Sequence, residues 1–461
     1  MSQQSLFDLG EFEVPAADEV AAAGEDAAES GAGGKPRLRI AQRNQVEMRY
    51  ASWDQLLPAD DEARMVWSAV CGLDLSRWLG DIKAVEGVRG RNKTDPRLLL
   101  ALWIYATLRG EPSAREMERL CETCLPYQWL CGGVTVNHHM LSDFRSQSGE
   151  SWKDLLSQIV GVLLAEELVT LDCVAQDGMR VRASAGTSSF RRRATLEKCL
   201  QAAQEQVEAL DQLAANATEL TRRRQQAQQR AARERQARVE QALQHCETLQ
   251  ADRDERSKTT NKKPNEARAS TTDPEARTMK FANGGYNPGY NVQFMTDTGS
   301  GIVVGVEVTS VGSDAEELSP MLDQVSDRCQ RPPQRAVVDG GYSTKESIIE
   351  AQEKHGCIVY APLKDEKKQL LEGENPYAPK KGDQPAVKAW RARMGEAASK
   401  AIYKLRGQTA EWVNARCRNH GLQQMPVRSQ AKCLIVALLH ALTHNIQQAV
   451  RLYARKATMP G

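Results

Sequence analysis

Three acids in this sequence, Asp177, Asp339 and Glu411, have settings that suit them to chemistry. Asp339 closes the run Pro333-Gln-Arg-Ala-Val-Val-Asp-Gly-Gly-Tyr342, in which a β-branched stretch delivers one carboxylate onto a pair of glycines. That pattern reads as a buried strand stopping at the rim of an α/β sheet, where ligands and metals bind in open α/β folds. An Asp there serves equally as a helix cap or turn-former, because a helix is expected from about Thr344. Asp177 precedes Gly178 in an alternating apolar and polar stretch, residues 168–183. Glu411 lies in Arg406-Gly-Gln-Thr-Ala-Glu-Trp-Val-Asn-Ala-Arg416 and is one of two acids among thirteen Lys/Arg in residues 385–461. It could simply pair with Arg406 or Arg418. As a set, carboxylates at element ends are what two hard divalent cations about 4 Å apart require, and surrounding cations would hold phosphates.

The elements that must position these acids can be read from periodicity. Residues 168–183 are expected to form a strand, a turn at Asp177-Gly178 and a second strand. Gly289–Thr296 and Ile302–Thr309, joined by Asp297-Thr-Gly-Ser-Gly301, read as a hairpin. A helix from about Ala315 to Cys329, the strand before Asp339, a helix from Thr344 to His355 and the strand Cys357–Ala361 follow, and helix dominates after about Lys388. The order predicts an α/β fold with a mixed sheet flanked by helices. Between its first two parts, about Leu196 to Cys246 is rich in Gln, Ala, Arg and Glu with no Gly or Pro. This predicts a long helix or helical hairpin, a coiled-coil insertion, followed by a mobile basic linker to about Arg268. Upstream, Asp95-Pro96 opens a helix ended by Gly110, and Ser113 with Glu116 forms a capping box for a second. A third runs from about Asn137 to Ser146. Short helices with tight turns are compatible with DNA binding.

The expected organisation is an acidic disordered tail (1–37), a helical N-terminal domain (38–165) and a catalytic domain in two segments (166–195 and 269–450). The insertion and linker occupy 196–268, and 451–461 forms a C-terminal tail. Residues 1–35 carry eight Asp/Glu against one Lys, so the net charge of +1 conceals a basic C-terminal segment that points to a polyanion such as nucleic acid. The strongest apolar run, Cys433–Leu442, is about ten residues, short of the ~20 that span a bilayer. With no signal-peptide pattern in the first thirty residues, a cytoplasmic, nucleoid-associated protein is expected. Eleven scattered cysteines read as free thiols. Cys121, Cys124, Cys131, His138 and His139 have the types for a zinc site, but no second CxxC closes it, and small buried side chains account for them better.

Several segments resemble bacterial insertion-sequence transposases of the DDE type. They are "AQDGMRVRASAGTSSFRRRATL" from Ala175, "STTDPEARTMKFANGGYNPGYNVQFMTD" from Ser270, "VVDGGYS" around Asp339 and "YKLRGQTAEWVNARCRNHGL" followed by "LLHALTHNIQQ". "PRLLLALWIYATLRGEPSAREMERLC" and "WLCGGVTVNHHMLSDFR" resemble the helical N-terminal domain of that family. The resemblance implies an RNase H-like catalytic fold in which Asp177, Asp339 and Glu411 bind two Mg²⁺ or Mn²⁺. The activity it implies is cutting double-stranded DNA at element ends and joining those ends to target DNA, by a homodimer. In such transposases a Tyr and an Arg before the Glu, and a Lys after it, touch DNA phosphates. Tyr403 and Arg406 fill the first two places, and Arg418 stands where Lys is expected. Arg416 and Lys432 complete the expected DNA-binding set. Trp412 is read as a packing residue or as a stacking platform for a flipped base. A domesticated DNA-binding protein without activity, and a metal-dependent nuclease without strand transfer, are the alternatives.

Overall fold

The computed structural model describes residues 50–80, 92–146, 149–213, 219–260 and 265–458, with positions 48, 82, 83 and 85. The acidic segment 1–37 lies outside the described residues. Chain contacts separate two units, residues 1–56 and 57–461. In the first, only a turn of helix, Trp53–Leu56, is described. All that follows concerns the second.

Its first part is helical: α1 (Glu62–Cys71), α2 (Pro96–Leu108), α3 (Ala114–Thr123), α4 (Leu125–Cys131), α5 (His138–Arg145) and α6 (Gly149–Ala165). Asp95 caps α2 by accepting from Arg97 N, and Pro96 occupies the first turn, where no donor is lost. From Leu98 to Leu108 every side chain of α2 is buried, as a helix apolar on all sides requires. Ser113 caps α3 by accepting from Glu116 N at 3.3 Å. The capping box is only half formed, because Glu116 turns to Arg119 and Ser113 N donates instead to Glu111. Cys131 is buried and Cys121 half-buried, and His138 pairs with Glu118 at 2.5 Å. All eleven cysteines are free thiols.

The sheet follows. β1 (Val174–Arg182) pairs antiparallel with β5 (Tyr286–Asp297) along its whole length and parallel with β7 (Arg335–Val337) at Val174 and Ala175. β7 pairs parallel with β8 (Ile358–Tyr360), and β6 (Val303–Thr309) folds back on β5 after a bulge at Met295/Thr296. β4 (Arg277–Lys280) pairs with the first residues of β5. The order β6-β5-β1-β7-β8, three antiparallel strands then two parallel ones, is the RNase H-like arrangement. The crossover helices are α9 (Leu318–Cys329) and α10 (Lys345–His355). The expected turn at Asp177-Gly178 is absent: both residues are inside one continuous strand. Gly178 serves a close approach instead, since a Cβ there would lie 2.6 Å from Asp314 Oδ1 and from Gln293 Nε2.

The insertion leaves the sheet through a two-residue ribbon, β2 (Phe190–Arg191) with β3 (Ala269–Ser270). It forms an antiparallel helical hairpin of α7 (Arg193–Leu213) and α8 (Glu219–Thr260), in which Gln229 reaches Leu210 O and Arg193 pairs with Glu247. Because α8 runs on to Thr260, most of the expected linker is helix. A small separate core, Leu196, Ala242, Cys246 and Leu249 against Ala267 and Ala269, seats it.

The last part contains α11 (Pro385–Met394), α12 (Ala397–Tyr403), a π-helical turn (Gly407–Glu411), α13 (Trp412–Asn419) and α14 (Gln430–Thr458). The expected C-terminal tail is thus largely helix. By length and composition α14 is the one described helix that could cross a membrane, but 78% of its apolar window is buried within the protein. The ten-residue run foreseen in the sequence lies in its buried N-terminal half. Asn445 bonds both N and O of Val303, and His444 Nε2 donates to Gly301 O at 2.8 Å, so the helix clamps the β5–β6 turn. Burial pushes His440 and His444 down to about 3, so both rings are neutral.

Candidate active site

Each of the three acids is delivered by a different device. Asp177 sits within β1, in register with Phe294. Asp339 leaves the sheet just after β7, and its Oδ1 accepts from Gly341 N at 2.7 Å, so the turn reading and the rim reading describe the same side chain. Glu411 ends the π turn. Glu411 follows Arg406 by five positions, a spacing that an α-helix would splay to different faces. The wider π turn brings the two together, and Arg406 Nη1 lies 2.8 Å from Glu411 Oε1.

All three acids converge on that one guanidinium. Arg406 Nη2 is 3.2 Å from Asp177 Oδ1 and 3.8 Å from Asp339 Oδ2. Side-chain exposure rises from 16% at Asp177 through 37% at Asp339 to 58% at Glu411, so the cluster has a dry floor and a wet rim. Asp177 Oδ2 also accepts from Asn414 Nδ2 at 3.0 Å. Burial raises the Asp177 carboxyl above its ordinary range, and the charges of Asp339 and Glu411 add to this against Arg406. Three carboxylates facing one cation leave negative charge unbalanced. Arg406 Nε and Asn414 Oδ1 are buried beside them without a hydrogen-bond partner.

Their chemistry fits a hard divalent cation: oxygen donors only, negative in sum, from a strand, a strand end and a helix. Among the described residues no group of three or more His, Cys, Asp or Glu is gathered to hold an ion as it stands, and Arg406 lies between the three acids.

The comparisons with known proteins bear on both parts of the chain. The family model of the transposase DDE domain matches residues 258–446, and that of a transposase domain (DUF772) matches residues 51–147. The chain belongs to the insertion-sequence DDE transposases. No curated protein and no solved structure matches it. It is therefore a DNA transposase, an enzyme of the polynucleotidyl transferase or nuclease type, from a family that normally uses divalent metal ions.

The expected DNA-binding residues of the transposase fall in different places. Tyr403 is half-buried close to the acids, and burial raises its phenol pKa. Arg416 turns inward: it donates to His444 Nδ1 at 3.3 Å and stacks 5.0 Å from Trp412. Trp412 meets His444 edge-on at 5.2 Å, as a packing residue would. Arg418 and Lys432 are exposed, on α13 and at the start of α14. Sequence reasoning missed Asp314. Its Oδ1 accepts from Asn291 at 2.7 Å and Gln293 at 2.8 Å, and its Oδ2 would lie 3.7 Å from a Cβ on Gly341. Gln293 is bonded in turn by Gln176 and by the buried Tyr342 hydroxyl. The available signal was the alternation of polar residues, Gln176/Gly178 on β1 and Asn291/Gln293 on β5, on neighbouring strands.

Proposed function

We propose that the transposase cuts double-stranded DNA at insertion-sequence ends and joins those ends to target DNA, with Asp177, Asp339 and Glu411 holding two Mg²⁺ or Mn²⁺. The observation that carries this reading is the convergence of three carboxylates, one of them buried and raised in pKa, on a single guanidinium. When bound, the ions supply charge stabilisation at the attacked phosphate and lower the pKa of the nucleophile.

The chain's own residues do the rest. Asp177, fixed within β1 and by Asn414, holds its position while the more exposed Glu411 adjusts. Arg406 balances part of the acids' charge before cations arrive and then turns to a DNA phosphate, with Tyr403 beside it. In cutting, the oxygen of water bonds to phosphorus as the bond to the 3′ oxygen breaks, leaving a 3′-hydroxyl and a 5′-phosphate. In joining, that 3′ oxygen bonds to a target phosphorus and the target's own 3′ oxygen departs with the proton. Two ends must be cut, so a homodimer on DNA is part of the proposal.

Purified protein incubated with Mg²⁺, labelled element-end DNA and a supercoiled target tests it. Cut ends and joined products are expected. Cutting without joining would reduce the protein to a nuclease, and binding without cutting to an inactive relative.

A further inference from the structure

The insertion and the sheet enclose a groove of about 480 Å³ that the acid cluster does not use. Its walls carry Arg253 and Arg256 from α8, Arg268 before β3 and Arg277 from β4, opposite the Gly312 loop. Arg253 and Arg256, three apart on the helix, share a face. Arg253 Nη1 is anchored on the carbonyls of Asn265 and Glu266, both at 3.0 Å, so its guanidinium is set before any ligand arrives. Two acids, Asp252 and Glu266, share the lining, and Glu266 is already paired with Arg192 at 3.1 Å. The balance is positive. Arg277 is half-buried with a partnerless Nε; burial lowers its pKa, opposed by the charge of Asp252 and helped by the nearby Arg256 and Arg253. Like charges gathered along one groove call for an anion.

The opposite lip leads to the acid cluster. Gly312 O accepts from Arg180 of β1 at 2.8 Å, and two residues on is Asp314, packed beside Gly341 in the turn that carries Asp339.

We infer that this groove binds the phosphodiester backbone of the DNA strand running away from the active centre, so that the helical insertion is a DNA-binding element. The strand's origin at the acids rests on the proposed function; the groove's affinity for DNA does not.

The test measures binding of a labelled element-end duplex with flanking DNA by fluorescence anisotropy in EDTA, where no cutting can occur. Arg256→Glu/Arg268→Glu changes two exposed arginines on different elements. Arg224→Glu/Arg230→Glu makes the same charge change on α8 outside the groove. Each phosphate contact contributes about 0.9 to the slope of log K against log salt, so the groove variant should lower that slope by about 2. At 0.1 M salt it should bind some tens-fold more weakly. The control should stay within about threefold. Equal losses in both variants, or none in either, would overturn the inference while leaving the carboxylate assignment standing. Should the Glu pair fail to fold by circular dichroism, Arg256→Gln/Arg268→Gln carries the same comparison, with a smaller loss.

Discussion

Two aspartates largely shielded from solvent in this transposase have opposite fates. Asp383, in the loop before α11, is met by Lys345 Nζ at 2.8 Å, Arg391 Nε at 2.8 Å and the Lys380 N–H at 3.0 Å. These partners, Lys345 foremost, hold its carboxyl down to about 2. Asp177 has one shared guanidinium, two acidic neighbours and a raised pKa. Burial is common to both; the balance of charge is not. The first is a closed ion cluster that ties α10 to α11. The second holds negative charge that the protein itself does not neutralise, the condition under which a site recruits something positive.

The contrast can be broken in four ways. If the proposed function holds, Asp339→Ala should lower DNA cleavage at least about a thousandfold, since on that reading it removes a metal ligand, while end binding in EDTA stays within about twofold. Full cleavage by that variant would remove the metal-site assignment. Asp383→Asn should act the other way, costing about 2–4 kcal/mol of stability by leaving the mostly buried Arg391 without its carboxylate, with cleavage intact wherever the protein is folded. Its sign with pH is fixed. A depressed carboxylate stabilises above its unfolded pKa of about 3.9 and loses that as pH falls through about 2, so thermal melts of mutant and parent should converge in acid.

Arg406→Ala should sharpen the comparison. Without the guanidinium the Asp177 carboxyl rises further, so the variant is expected to lose about 1–2 kcal/mol at pH 8 and to recover as pH falls. Mg²⁺ or Mn²⁺ should then raise its melting temperature more than the parent's. The smallest effect is at Glu317, an acid before α9 that burial pushes up to about 7. A raised carboxyl contributes stability below its unfolded pKa and loses it as pH rises through 7. Glu317→Gln should therefore gain about 1 kcal/mol at pH 8 after allowance for solvent screening, and nothing below about pH 4.5.

How much of this was legible in the sequence follows from range. Asp339 was readable because strand, acid and glycines are neighbours in the chain, and the β5–β6 hairpin because turn and alternation are local. Gly178 misled because its meaning lies in Asp314, far away in sequence; a glycine in a strand shows only that something is close. The half-formed capping box failed because Glu111 and Arg119 competed for the same groups. Arg416 reads as a surface cation until α14 packs over it. The π turn had a trace in the five-residue interval from Arg406 to Glu411, but only contact between them gives that interval a meaning.

The ribbon of Phe190–Arg191 with Ala269–Ser270 has a consequence for how the molecule folds. β1 and β5 must find each other across a loop of roughly a hundred residues. The helical hairpin forms from local contacts, and once its ribbon zips, the effective loop shrinks to about a quarter of that length. Loop-closure entropy then falls by about 1 kcal/mol, so the insertion should speed sheet pairing rather than hinder it. Cutting the hairpin short but keeping the ribbon should preserve the refolding rate, whereas weakening the ribbon should slow it.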